Sequence, residues 1–181
     1  MAKGLSAERI TVAAAELIEQ YGRSGFSMRL LADTMGVKTA SLYNHIENMD
    51  TLLTEVCRYA LRMQEDGELR AIAGKTGREA VWALAWAYRR FAQQHRELYW
   101  LVMHNLAADV GSLKQVLSGF RLPPREEIHF RRMFRAIVHG FASQEDEGFF
   151  SHYPASTELS FEFAIQRFID CVLEAEKRNP S

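Results

Sequence analysis

The sequence lacks the features that several large classes of protein require. Its 181 residues include only two cysteines and four prolines. Cys57 and Cys171 are far apart and lack metal-type spacing, so we expect reduced core residues rather than a disulfide framework. No apolar run is long enough to span a membrane. Because the opening stretch MAKGLSAERI also lacks the apolar segment of a signal peptide, we expect a cytoplasmic protein with no membrane partner.

The chain also lacks a strong excess of either charge. Its 22 basic and 23 acidic residues give a formal net charge of -1. This balance excludes a basic coat over the whole surface, but it allows a local face that binds nucleic acid. The hydrophobic fraction of 48% is enough for a substantial core.

Sequence motifs of catalysis are missing as well. There is no Gly-x-Ser-x-Gly motif, phosphate loop or dinucleotide fingerprint. Glu126 and His129 have the Glu-x-x-His spacing of a di-iron bundle, but the second such pair that this site needs is absent. We therefore predict no enzymatic activity, no cofactor and no metal site.

Helical periodicity is what the sequence has in abundance. Apolar residues from Ile10 to Tyr21 recur in steps of three and one, which indicates one face of an amphipathic helix. Ser6, Ser27 and Asn48 are placed to cap helices. The first four helices are predicted over residues 6–22, 27–35 and 38–45, and from residue 48 onward.

The rest of the chain continues this pattern after a break at Ala73–Gly77. Later helices are predicted from residue 76, over 97–107, 110–119 and 124–142, and from 156 or 157 to 176. The stretch EDEGFFSHYPAS is predicted to be a loop. The fold class is therefore all-α with about nine helices, divided into a first part at 1–48 and a second part at 49–181.

Residues 27–46 have the pattern of a helix-turn-helix. Ala32 lets two helices cross closely, Gly36 permits a left-handed turn, and Leu42 anchors the second helix. This anchoring leaves small and polar side chains outside, where they can approach a major groove and neutralise phosphates. The candidate DNA-binding residues are Ser27, Arg29, Lys38, Thr39, Ala40, Ser41, Tyr43, Asn44 and His45.

An ordinary solvated helix face would have a similar composition, and the local charge argues against DNA binding. Residues 1–50 contain five basic and six acidic side chains. A DNA-binding face therefore requires the acidic groups to point away from the DNA.

The stretch from RITVAAAELIEQYG through FSMRLLADTMGV, SLYNHI and NMDTLL resembles the N-terminal domain of the TetR family of transcriptional regulators. The resemblance covers about residues 6–57. It implies an all-α homodimer that binds a palindromic DNA operator and represses until a small molecule binds the C-terminal domain.

The resemblance also implies roles for individual residues. Ser27 and Arg29 match phosphate or groove contacts, and residues 38–41 match the variable recognition positions. Tyr43 matches an aromatic residue that packs on the sugar-phosphate backbone, and His45 matches a neighbour of that backbone. Met49 departs from the pattern, because the family commonly has a phosphate-binding lysine there.

The C-terminal segments FRAIVHGFASQEDEGFF and FEFAIQRFIDCVL are similar to a TetR subfamily named for a Trp-His-Gly signature. His139 and Gly140 match this signature. Its tryptophan does not match, because Phe134 or Arg135 stands near that place.

Two apolar stripes in the last two long helices are wider than one core contact needs. A helix that is apolar over much of its circumference is buried from two sides, and one side could be a partner subunit. A deep core within one chain is the alternative. The candidate dimer-interface residues are Phe130, Ile137, Val138, Phe141, Phe161, Ile165, Phe168 and Val172.

Aromatic residues in the central helices could line a pocket for an apolar or aromatic effector, with Tyr99 and His104 as polar groups. The alternative is that they only fill the core. The candidate ligand-binding residues are Trp82, Trp86, Tyr99, Trp100, Met103, His104, Phe120 and Phe134.

The sequence and the resemblance thus predict a ligand-responsive transcriptional regulator, more specifically a repressor, that binds an operator as a homodimer. Residues 1–48 would form its helix-turn-helix DNA-binding domain, and residues 49–181 its helical ligand-binding and dimerisation domain. The alternative is a helical dimeric adaptor or sensor that has lost specific DNA binding. The effector, the operator and the target genes are left open.

Overall fold

The computed structural model describes residues 4–105 and 111–179. Within these ranges all regular secondary structure is helical and there is no strand, which confirms the all-α prediction. None of the described helices is both long and apolar enough to cross a membrane. The α-helices are α1 (Ala7–Gly25), α2 (Met28–Met35), α3 (Thr39–Leu42), α4 (Met49–Ile72), α5 (Gly77–Gln94), α6 (Arg96–Asn105), α7 (Gly111–Leu117), α8 (Pro124–Asp146) and α9 (Thr157–Lys177).

Helix α1 begins where the sequence predicts but continues beyond its predicted end. The Ser6 hydroxyl accepts a hydrogen bond from the Arg9 N–H at 3.3 Å, as a helix cap should. Gly22 leaves the helical conformation, with φ of 73° and ψ of 166°, and the helix resumes as far as Gly25. Gly22 therefore introduces a kink, because glycine tolerates positive φ, rather than ending the helix.

Three other predicted boundaries need correction. Helix α3 is a single turn rather than residues 38–45, and the His45 N–H bonds back to the Leu42 carbonyl at 2.9 Å in the turn that follows. Helix α8 continues past Ala142 to Asp146, and Phe149–His152 forms a short 3-10 helix inside the predicted loop. The predicted boundaries at residues 107 and 110 lie outside the described residues.

The described residues form two compact units. The first unit contains residues within Met1–Met63 and His95–Ala108, and the second contains those within Gln64–Gln94 and Asp109–Ser181. Helix α4 contributes to both units. A functional division at residues 48 and 49 remains a prediction, since compactness describes packing rather than role.

The first unit is held together by α1, on which both α2 and α6 pack. A side chain of α1 also caps α6, because the Glu19 carboxylate accepts a hydrogen bond from the Leu98 N–H at 2.9 Å. Burial raises the pKa of Glu19, and this hydrogen bond acts in the opposite direction. Cys57 is buried as predicted, and its Sγ lies 3.7 Å from the Leu101 carbonyl oxygen.

The core of the second unit is aromatic and lies among α5, α8 and α9. The Phe161 ring meets the rings of Trp86 and Phe141 edge-on, with centroids 5.2 Å apart in both pairs. Phe168 makes a similar contact with Phe134 at 5.4 Å. The prediction that Cys171 is a core residue is wrong, because this residue lies beside the buried stripe of α9 rather than within it and is exposed.

A buried ion pair joins α5 to α8 in the same unit. The Arg89 guanidinium donates to both carboxylate oxygens of Glu145, and its Nε–Oε2 distance is 3.1 Å. The guanidinium carbon also lies 5.1 Å from the centroid of the Trp86 ring and 4.8 Å from that of Phe161. Arg89 therefore completes the aromatic core with a charge that depends on Glu145 for compensation.

We expect Arg89→Leu to destabilise the protein by roughly 3 kcal/mol, because it leaves the Glu145 carboxylate poorly solvated and without its partner. Urea unfolding followed by circular dichroism measures the change. Arg90→Leu, at the exposed neighbouring position, is the control and should change stability by about 0.5 kcal/mol or less. Equal effects of the two substitutions would show that the ion pair adds no stability.

Candidate nucleic-acid interface

The helix-turn-helix is built on two buried anchors that follow a glycine turn. Gly36 has φ of 67°, and the Val37 N–H donates to the Ala32 carbonyl at 3.0 Å, which closes the end of α2. Leu42 has no exposed surface and Ile46 is also buried. These anchors fix α3 against the unit, so the intervening side chains take defined positions at its surface.

All nine predicted DNA-binding residues lie at this surface in the first unit. Thr39 and Ser41 are partly exposed. Tyr43 is 50% exposed, so its ring is free to pack on another surface. The exposed members are Ser27, Arg29, Lys38, Ala40, Tyr43, Asn44 and His45.

Ser27 and Arg29 each have a partner within the chain. The Ser27 hydroxyl caps α2 by accepting a hydrogen bond from the Leu30 N–H at 3.1 Å. The Arg29 Nε lies 3.8 Å from the Asp33 carboxylate, and both side chains are exposed. An exposed pair of this kind contributes little stability, so Arg29 can exchange Asp33 for a phosphate at small cost.

The end of the interface is fixed by the start of α4. The Asn48 side chain accepts a hydrogen bond from the Thr51 N–H at 2.8 Å, as its position as a cap predicts. Met49 is the first residue of α4 and is partly exposed, whereas Glu47 before it and Asp50 after it are exposed. This corner therefore has a negative local charge and no lysine.

The predicted ligand-binding residues are divided between the two units. In the first unit, Tyr99 is buried against Trp100, with ring centroids 5.5 Å apart, and Met103 is partly buried. His104 is exposed, and its Nδ1 lies 2.8 Å from the Trp100 carbonyl oxygen.

The other four candidates belong to the second unit. Trp86 and Phe134 take part in the aromatic core, Phe120 is buried, and Trp82 is partly buried. A role in ligand binding remains a prediction for all eight residues.

The predicted dimer-interface residues fall into two groups. Phe130, Ile137 and Phe141 are partly exposed on α8. The other five have almost no exposed area within the single chain, so their side chains have no surface left for a partner. These five are Val138, Phe161, Ile165, Phe168 and Val172.

Sequence reasoning missed a buried polar cluster at the C-terminal end of α4. Glu68 is 1% exposed and accepts hydrogen bonds from the Ser112 hydroxyl and from the Gln64 side-chain nitrogen, the latter at 2.8 Å. Gln64 and Glu68 are four residues apart on a helix, which is also the spacing of ordinary solvated pairs. The spacing of the two residues therefore gives no sign that they are buried.

Two family models match the chain. Residues 10–56 match the model of bacterial regulatory proteins of the tetR family, and residues 81–168 match a tetracyclin repressor-like C-terminal domain. The resemblance to the Trp-His-Gly type remains a prediction.

Curated relatives agree with these models. The uncharacterized HTH-type transcriptional regulator YobS of Bacillus subtilis is 28% identical over 180 residues, which is 94% of each chain. An uncharacterized HTH-type transcriptional regulator of Mycobacterium tuberculosis is 27% identical over 161 residues, covering 80% of this chain and 72% of that protein.

Solved structures share the fold at lower identity. A Rhodococcus protein of unknown function superposes with a TM-score of 0.80 at 22% identity, covering 94% of this chain and 97% of its own. TetR from Acinetobacter baumannii AYE superposes with a TM-score of 0.73 at 17% identity, covering 98% of this chain and 100% of its own. A variant of that TetR in complex with minocycline superposes with a TM-score of 0.72 at 18% identity, with the same coverage of both chains.

The buried Glu68 should make stability depend on pH. Burial raises the pKa of Glu68 above its ordinary value of 4.5, as does the nearby Glu65, whereas Ser112, Gln64 and Arg135 lower it. The folded state then binds more protons than the unfolded state, so the unfolding free energy decreases as pH rises from about 4.5 through the folded-state pKa.

Replacing Glu68 by glutamine should remove this decrease. We expect Glu68→Gln to gain stability relative to wild type progressively as pH rises above 4.5. Urea unfolding at a series of pH values measures the difference, and Glu174→Gln on the exposed face of α9 is the control. A difference that stays constant with pH would show that Glu68 ionises as readily in the folded chain as in the unfolded one.

Proposed function

The chain belongs to the TetR family of bacterial regulatory proteins, and from that premise we propose that it is a ligand-responsive repressor that binds a palindromic operator as a homodimer. Its family makes it a DNA-binding transcriptional regulator with a ligand-binding fold rather than an enzyme. Such a regulator acts on DNA in the cytoplasm, which is the location we propose.

The observation that carries DNA binding is the surface formed by residues 38–45. The buried Leu42 holds this short segment, while Lys38, Asn44 and His45 remain exposed. Short polar side chains on a helix that can enter the major groove suit hydrogen bonds to base edges, and Lys38 suits a phosphate contact. We therefore assign base contacts to Thr39, Ala40, Ser41 and Asn44, and backbone contacts to the other predicted residues.

Dimerisation through α8 and α9 is supported by the apolar groups left on the outside of these helices. Ile128 and Met133 on α8 are exposed, and Leu159 and Phe163 on α9 are each 65% exposed. We propose that these side chains, with the partly exposed Phe130, Ile137 and Phe141, meet their copies across a two-fold axis. The dimer must then hold its recognition helices about 34–36 Å apart to enter successive major grooves.

We propose that a small apolar or aromatic molecule controls this spacing. The minocycline complex of a TetR with the same fold supports a small-molecule effector. Helix α4 begins shortly after residues 38–45 and continues into the second unit. It is therefore the element best placed to couple effector binding to DNA binding. An effector that prefers a different dimer geometry lowers operator affinity by its differential affinity for that state.

A second candidate function is a dimeric helical adaptor or sensor without specific DNA binding. Met49 and the exposed acidic residues Glu47 and Asp50 favour this alternative, because they remove a phosphate contact and add repulsion. The two functions differ in whether the purified dimer selects a DNA sequence.

Selection of bound duplexes from a random DNA pool at two salt concentrations tests the proposed function. We expect an inverted repeat and a steep salt dependence, because two copies of the surface would each neutralise phosphates. Lys38→Ala should lower the salt slope by about one for each subunit, because that subunit then neutralises one phosphate fewer. Failure of the folded dimer to select any sequence at low salt would favour the adaptor.

Met49→Lys should strengthen DNA binding, because it supplies a cation at the start of α4 where the family commonly has one. We expect tighter binding to the selected operator, and a salt slope that increases by about one per subunit, in fluorescence anisotropy titrations. Gln115→Lys adds the same charge on α7 and is the control. An equal gain in both variants would indicate a general charge effect.

A further inference from the structure

The polar cluster on α4 contains a buried acceptor that the chain does not use. Gln64 is 2% exposed, and its side-chain nitrogen donates to Glu68. Its carbonyl oxygen, Oε1, has no hydrogen-bond partner within the described part of the chain. A buried carbonyl without a donor costs folding free energy, so it is uncommon unless water or a ligand supplies the donor.

The orientation of the Gln64 amide follows from its neighbour. Glu68 accepts with both oxygens, one from Gln64 and the other from Ser112. An acceptor at Glu68 requires the amide nitrogen of Gln64 to face it, which turns Oε1 away from the carboxyl group. The Oε1 atom of Gln64 is therefore an acceptor that lacks a donor in the described part of the chain.

The surroundings narrow the class of molecule that could supply this donor. Leu113, Val116 and Leu117 on α7 are buried in the same unit as the cluster. Glu65 adds a second carboxylate, whose Oε1 accepts from the Gly111 N–H at 3.3 Å. Two carboxyl groups disfavour an anion, whereas an apolar body with one hydroxyl or amine suits both the acceptor and the buried apolar side chains of α7, the helix that Glu68 contacts through Ser112.

We propose that Gln64 Oε1, with Glu68 beside it, binds the hydroxyl or amine of a small, otherwise apolar effector. This inference rests on the proposed function as a ligand-responsive regulator. It places the polar recognition group on α4, instead of at Tyr99 and His104 on α6. The Gln64–Glu68 pair thus selects effectors by a hydrogen-bond donor rather than by shape alone.

Binding of matched aromatic probes to the full-length protein tests this inference. The probes are para-propylphenol and para-propylaniline, which carry a donor, and propylbenzene and para-propylanisole, which do not. We expect the two donors to bind on the order of tenfold more tightly in titrations followed by ligand-observed NMR. Equal affinities, or no binding of either donor probe, would overturn the inference.

Substitutions assign any such preference to Gln64. Gln64→Leu should reduce donor binding to the level of propylbenzene, and Gln115→Leu on the exposed side of α7 should leave the preference intact. If Gln64→Leu does not fold, Gln64→Met, which keeps an unbranched side chain, replaces it. A preference that persists in a folded Gln64 variant contradicts the assignment.

Comparing these titrations with the DNA selection separates this inference from the proposed function. A donor preference that depends on Gln64, in a protein that selects no DNA sequence, would support the ligand site and reject the repressor. Selection of an inverted repeat by a protein without donor preference would support the repressor and reject the ligand site at Gln64.

Discussion

The burial of Leu42 is the constraint on which the surface formed by residues 38–45 depends. Helix α3 is a single turn, and a helix of that length is not stable by itself in water. Its conformation is imposed by packing on α2, by the Gly36 turn before it and by the buried Ile46 after it. Any side chain between these anchors can change with little effect on the fold. That freedom would let the surface formed by residues 38–45 vary in sequence on an unchanged scaffold.

The second unit contains two buried polar pairs, which differ in how far their hydrogen-bonding and charge are compensated within the chain. The Arg89–Glu145 pair lies against two aromatic rings and is compensated within the chain. The Gln64–Glu68 pair satisfies only part of its hydrogen-bonding capacity. A compensated pair can serve the fold alone. An uncompensated acceptor lowers stability unless something else binds it, so the two sites support different inferences although both are buried and polar.

Local signals predicted the fold better than they predicted its surfaces. Ser27, Gly36 and Asn48 act through neighbouring backbone groups, so the two helix caps and the turn could be read from sequence and are confirmed. The apolar periodicity of α9 placed Phe168 on a stripe predicted to lie at a dimer interface, yet Phe168 is buried within the single chain, because periodicity cannot tell a core from an interface. The burial of Glu68 was missed because it depends on Ser112, which is 44 residues away. The exposed stripe carrying Phe163 was missed because it falls outside the main apolar period.

The contacts around α4 differ in what they could contribute to the proposed coupling between effector binding and operator affinity. The Gln64–Glu68 hydrogen bond joins residues four apart on one helix, so it can persist however that helix moves. The contacts of Glu65 with Gly111 and of Glu68 with Ser112 join α4 to α7 and change whenever the two helices shift. A ligand can bias an equilibrium only through interactions that differ between its states. A donor bound at Gln64 would therefore act on α4 chiefly by altering how Glu68 holds Ser112, since that bond shares the carboxyl group on which Gln64 also depends.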